Sequence, residues 1–113
     1  METRDLRELV EFSEQEPVHR IVFESERLWS ELLCLDRAHR YGPVSDPRAD
    51  GIFTVVAGEV SIQVGANRKR LRQWGAAFAP AAEFQSGNGR CSAVWNSACI
   101  HRVHHPSAVG TLH

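Results

Sequence analysis

The stretch TVVAGEVSIQVGANRKRL, Thr54 to Leu71, is where this chain declares how it folds. Val60, Ile62 and Val64 alternate with Ser61 and Gln63, so one face of the segment is apolar and the other polar. That period of two is what a strand in a sheet with unlike faces requires. Gly58 precedes this strand and Gly65-Ala66-Asn67 follows it; glycine and asparagine tolerate the positive φ of tight turns between antiparallel strands. The stretch therefore predicts a β-meander of at least three strands.

Outward from the meander, the runs HRIVFES, RLWSELLCLD, GIFTVVAG, AAFAPA and CSAVWNSACIHRV are apolar or alternating and are separated by Gly, Pro, Asn and Asp. About seven short strands at close spacing indicate an all-β antiparallel sandwich or barrel. One run has two readings, because Leu28, Glu31, Leu32 and Leu35 fall at helical spacing; the β context on either side favours the strand. Thr3 can cap a short helix over Arg4 to Val10 that gathers Leu6, Leu9 and Val10 on one side. Such a helix suits a lid or a dimer arm better than a core element.

The 113 residues, 42% hydrophobic, are enough for one domain with one core. We expect an N-terminal arm over 1–15, a barrel over 16–105 and a tail over 106–113. The 13 basic and 14 acidic residues nearly cancel to a net charge of -1, which offers no field for nucleic acid or an anionic membrane. The basic run Asn67 to Arg72 reads as a solvated, edge-protecting strand face. Cys34, Cys91 and Cys99 are odd in number, lack C-x-x-C spacing and lie mainly in apolar runs, as buried thiols of a reducing compartment do. With no apolar run of signal or membrane-spanning length, the expected location is the cytoplasm. No G-x-S-x-G elbow is present and no cysteine has an adjacent histidine, so no catalytic nucleophile is assigned.

The order of elements resembles the cupin superfamily, small jelly-roll barrels whose pocket usually holds a metal. Its first motif, G-x5-H-x-H-x4-E-x6-G, threads with its glycine on Ala38, its histidines on Val44 and Asp46, its glutamate on Gly51 and its last glycine on Gly58. Its second motif, G-x5-P-x-G-x2-H-x3-N, threads with its glycines on Trp74 and Ala82, its proline on Pro80, its histidine on Gln85 and its asparagine on Gly89, one past Asn88. Gly58 and Pro80 match by identity. The likeness otherwise lies in the connecting text, ADGIFTVVAGEVSIQVG followed by RLRQWGAAFAPAAEFQSGN, and covers Glu31 to Asn96. It implies a cupin-like antiparallel jelly-roll barrel with a short N-terminal helix, and a homodimer, since small cupins commonly dimerise.

A transition metal needs several imidazole or carboxylate donors to replace its hydration shell. Val44 and Gly51 offer none, and Asp46 with Gln85 is a poor remainder, so no metal and no cofactor are expected at the usual centre. The resemblance then implies a metal-free binding module for a small organic ligand, its pocket lined by Val44, Asp46, Gly51, Phe53, Phe78, Gln85 and Trp95. Two alternatives stay open. The barrel is filled and serves a structural or interaction role, or the chain is a cupin enzyme. An enzyme would use either a displaced metal site drawn from His39, His101, His104 and His105, or acid/base chemistry through His39 and Asp46 as in metal-independent sugar epimerases of cupin-like fold. Along a strand His101 and His105 share a face about 13 Å apart and His104 points away, too far for chelation by the pair alone. Trp74, at a turn, is expected to be exposed or at a subunit contact, and Trp29 to face either side.

Overall fold

Among the residues that the computed structural model describes, 1–37, 39–44, 49–80, 89–94 and 96–106, nine strands form two antiparallel sheets. They are β1 (Val18–Glu24), β2 (Trp29–Leu35), β3 (Arg40–Val44), β4 (Ala49–Ala57), β5 (Glu59–Val64), β6 (Asn67–Arg72), β7 (Ala76–Ala79), β8 (Gly89–Ala93) and β9 (Ala98–Pro106). One sheet runs β1-β2-β9-β4-β7 and the other β3-β8-β5-β6. Neighbours far apart in sequence, such as β2 and β9, pair in both sheets, as expected of an all-β jelly-roll barrel.

The alternation in the meander places Val60, Ile62 and Val64 inside. They meet Leu33 and Leu35 of β2, Phe53 and Val55 of β4, Cys91 of β8 and Ile100 of β9 in one cluster between the sheets. Each fully buried aliphatic side chain there contributes about 1.5–3 kcal/mol relative to exposure. The turns form where the glycines stand. Gly58 adopts φ 79°, and a Cβ on it would lie 2.5 Å from the Ser97 carbonyl oxygen, so only glycine fits.

The helical reading of Leu28 to Leu35 fails for a physical reason. β2 is buried on both faces, every residue from Ser30 to Leu35, because a second cluster of Val22, Leu32, Cys34 and Cys99 covers its outer side. A strand buried on both faces loses its period of two, and its apolar run then mimics a helix.

What covers that outer side is the N-terminal segment. The expected helix over Arg4 to Val10 shrinks to a 3-10 turn, Leu6–Leu9, capped by Asp5 and not Thr3; the Asp5 carboxylate accepts from the Arg7 amide at 3.0 Å. Leu6 and Leu9 pack on the second cluster, so the segment expected to be a lid or dimer arm closes the outer face of its own sheet. His39 fastens it further on. Its Nδ1 accepts from the Asp36 amide at 3.3 Å, so Nε2 carries the proton and donates to the Glu14 carbonyl at 3.1 Å. Among the described residues no helix is long and apolar enough to cross a membrane.

Candidate functional site at the polar end of the barrel

The register between β2 and β9 grades the barrel interior. Leu35 pairs with Ala98, Leu33 with Ile100, Glu31 with Arg102 and Trp29 with His104, and strand alternation turns all of them inward. One end of the interior is therefore aliphatic and the other polar and aromatic. β4 adds Phe53, opposite Arg102, and Gly51, opposite His104, while β3 of the facing sheet adds Tyr41.

The centre of this end is a buried ion pair. Glu31 and Arg102 are 3% and 5% exposed, and Arg102 Nη1 lies 3.6 Å from Glu31 Oε1. Arg102 Nη1 donates to the Tyr41 hydroxyl at 2.8 Å, and Glu31 Oε2 holds His19 Nδ1 at 3.1 Å. The guanidinium carbon sits 5.5 Å from the Trp29 ring centre, 5.6 Å from Phe53 and 6.0 Å from Tyr41, within reach of the ring quadrupoles. His104 meets Trp29 edge-on at 5.8 Å and His19 meets Tyr41 at 5.1 Å. Taking two charges out of water is expensive unless their remaining hydrogen-bonding capacity is met. Here Arg102 Nε and Glu31 Oε1 are buried with no hydrogen-bond partner.

The surroundings hold neighbouring groups in their neutral forms. Burial raises the Tyr41 phenol above its ordinary pKa, Arg102 pulling the other way and Glu31 adding to the rise. Burial also pushes the Cys91 thiol up to about 12. Neither is a nucleophile in waiting.

Of the residues expected to line a pocket, Phe53 is inside and 4% exposed, and Gly51 is buried between Ala79 of β7 and His104 of β9. Phe78 is a correction. The alternation of β7 turns Ala77 and Ala79 inward and leaves Phe78 outside, 60% exposed and opposite Ile52, itself 46% exposed. Val44 ends β3, its side chain outside the description, and Asp46, Gln85 and Trp95 lie outside the described residues. Trp74 is exposed, as expected at its turn, and Trp29 faces inward.

Sequence reasoning missed Glu31, Arg102, Tyr41 and His19. The signal was present in WSELLCL and ACIHRV, two apolar strands that each hold one charged residue; charges are almost never fully buried unless paired. Their partnership depends on the β2–β9 pairing, which spans most of the chain.

The donor set does not fit the metal that the resemblance would imply. Gly51 has no side chain, the Val44 side chain has no donor atom, and among the described residues no three His, Cys, Asp or Glu groups converge. A displaced histidine site fares no better there, since His104 faces inward against Trp29 while His101 pairs with Leu32 on the opposite face. His39 has both ring nitrogens committed to backbone groups outside the barrel interior.

Neither a family model nor a curated protein matches the chain. Solved structures do. The chain is similar to TT1209 from Thermus thermophilus, with 27% identity and a TM-score of 0.80 over 95% of this chain and 99% of that one. It is similar to an RmlC-like cupin protein from Desulfovibrio desulfuricans, with 19% identity and a TM-score of 0.79 over 95% and 98%. It is also similar to an uncharacterised conserved protein with a double-stranded β-helix domain from Klebsiella pneumoniae, with 17% identity and a TM-score of 0.79 over 96% and 92%.

Proposed function

We propose that this chain, which belongs to the cupin superfamily by its fold, binds a small organic molecule at the polar end of its barrel without a metal or other cofactor. One observation carries the reading: a donor, Arg102 Nε, and an acceptor, Glu31 Oε1, are buried within one ion pair and each lacks a hydrogen-bond partner. Such atoms cost about 1–3 kcal/mol each when left unsatisfied, and more when charged. A ligand that offers an acceptor next to a donor, such as a carboxylic acid taken up in its protonated form, a primary amide or a hydroxyketone, satisfies both at once. The rings of Trp29, Phe53 and Tyr41 supply an apolar wall for the rest of it. Gly51 and Ala79, side by side on β4 and β7, add little bulk where this end meets the sheet edge.

The test is a thermal-shift titration with a panel of small carboxylic acids, amides and hydroxyketones. It compares the natural protein with the double variant Arg102→Met, Glu31→Leu. At least one class should raise the melting midpoint saturably in the natural protein and leave the variant unmoved. No shift in the natural protein, or equal shifts in both, would overturn the reading.

A second reading, an enzyme of the same site, is favoured by the His19–Glu31 contact. The His19 side chain is 42% exposed while its partner carboxylate is buried at 4%, the arrangement of a histidine base oriented by an acid. Under this reading His19→Gln keeps ligand binding and abolishes turnover; turnover that survives His19→Gln would exclude it. We also propose that two copies associate in the cytoplasm across the outer face of β4 and the edge strand β7, where Ile52 and Phe78 stand exposed side by side. Phe78→Glu should convert a dimer to a monomer in light scattering, and a dimer that persists would place the contact elsewhere.

A further inference from the structure

The four-stranded sheet has an outer face that the barrel interior does not use, and it is basic. Register aligns Arg40 of β3, Ser92 of β8, Ser61 of β5 and Arg70 of β6 in one row across the sheet. The next row is Arg90, Gln63 and Arg68. Strand alternation sends Tyr41, Cys91 and Ile62 inward from the same strands, so these two rows face solvent together. The carboxylate on this face among the described residues is Glu59, one row further along, and it is engaged by Arg72 at 3.1 Å.

These rows enclose a trough of about 380 Å³ with Arg40, Arg68 and Arg90 around it and Ser61, Ser92 and Gln63 on its floor. The floor is organised. Gln63 donates through Nε2 to the Gly65 carbonyl at 3.2 Å, and its Oε1 accepts from Arg68 at 3.1 Å, which fixes where that guanidinium stands. By sheet geometry Arg40 and Arg90 are diagonal neighbours with Cα atoms about 7 Å apart, and Arg90 and Arg68 lie about 10 Å apart across β5. Arginine side chains are long enough to span such distances and reach one small group. The charge here is local: eight of the 14 acidic residues fall within the first 26 positions, and the chain as a whole is at -1. A compact anion needs only the trough, whereas a long polyanion needs an extended positive surface, which a chain at -1 does not offer.

We propose that this trough is a second binding site, separate from the barrel interior, for the phosphoryl or pyrophosphoryl group of a small molecule. Three guanidinium forks approaching from three strands, with two serine hydroxyls beneath, suit a tetrahedral group with several anionic oxygens; one fork already satisfies a planar carboxylate. The arginines, serines and Gln63 of the trough take no part in the Arg102–Glu31 end, so the two proposals stand or fall separately.

Inorganic pyrophosphate is the probe, titrated calorimetrically at low and then physiological salt. Saturable binding in or below the millimolar range, weakening with salt, is the expected result. The double variant Arg68→Gln, Arg90→Gln, altered only at exposed positions, should lose at least about tenfold in affinity, as expected when charge-assisted bonds are removed. Arg4→Gln on the N-terminal arm should bind as the natural protein does. No saturable binding at low salt, unchanged affinity in the double variant, or equal affinity for a tricarboxylate such as citrate would overturn the proposal.

Discussion

Glu31 on β2 and Arg102 on β9 stand directly opposite one another, and their charged groups face at 3.6 Å inside the barrel. This relationship joins the fold to its candidate function. The register that stacks Leu33 on Ile100 also seats two charges where a jelly-roll barrel has its interior. It further predicts how the protein responds to change.

Removing one member of a buried pair leaves the other charge without compensation. Arg102→Ala should destabilise the protein by about 3–5 kcal/mol, while Arg102→Met together with Glu31→Leu should cost far less or raise stability. Urea unfolding of the three proteins measures both. A single variant as stable as the natural protein would mean that the pair is not buried in solution.

Acid should weaken the fold through His101. Burial holds its imidazole below the ordinary 6.5, because desolvation disfavours the charged form, and its Nε2 is buried without a partner. A histidine whose folded pKa is depressed contributes stability that is present above its unfolded pKa and is lost as pH falls through the folded one. The melting midpoint should therefore fall more steeply below about pH 6.5 in the natural protein than in His101→Gln. Parallel curves would contradict the assignment.

The thiols should report the N-terminal arm. Cys99 donates to Cys34 across 4.0 Å between paired strands, and that bond, aided by the Glu11 backbone amide, draws the Cys34 pKa down to about 7. Its nucleophilicity is masked by complete burial beneath Leu6 and Leu9. Leu6→Asp with Leu9→Asp should speed alkylation of Cys34 by about tenfold or more by raising the population of open states. Cys91, inside the barrel, should stay unreactive in both proteins. Equal rates at Cys34 would show that the arm does not guard it.

Two turns make opposite demands. Gly58→Ala forces a side chain onto the Ser97 carbonyl at positive φ and should cost about 1–3 kcal/mol. Trp74 holds φ 75° without being glycine and is 73% exposed, so Trp74→Gly should keep or raise stability by up to about 1 kcal/mol. Thermal unfolding of both variants decides. A Trp74→Gly protein that is markedly less stable would show that the indole holds a contact, as at a subunit interface.

How far the sequence disclosed this molecule depends on the reach of each signal. The strands of the meander were legible because Val60, Ile62 and Val64 alternate with polar residues over six positions, and Gly58 and Gly65 punctuate them. β2 was ambiguous because its second face is covered by the arm, a packing that no local pattern records. Among the expected pocket residues, Phe53 came from its predicted strand and Gly51 from the threaded motif, and both are buried. Phase along β7 went astray at Phe78, since a four-residue strand rich in alanine does not say which face is inside. Glu31 and Arg102 were hidden by distance, 71 residues apart in sequence and adjacent only once β2 and β9 pair. The run Asn67 to Arg72 was legible as a solvated basic strand face, but the trough exists only because the register brings Arg40 and Arg90 near Arg68.

Uptake of a small organic molecule at the polar end of the barrel is assigned to Arg102 and Glu31. The most direct measurement is an atomic-resolution crystal structure of the untagged protein soaked with the strongest member of the thermal-shift panel. Density for that molecule is expected inside the barrel, with its acceptor on Arg102 Nε and its donor on Glu31 Oε1, beside Trp29 and Phe53. A barrel whose polar end is closed by its own side chains, with both atoms bonded to protein or to water alone, would contradict it.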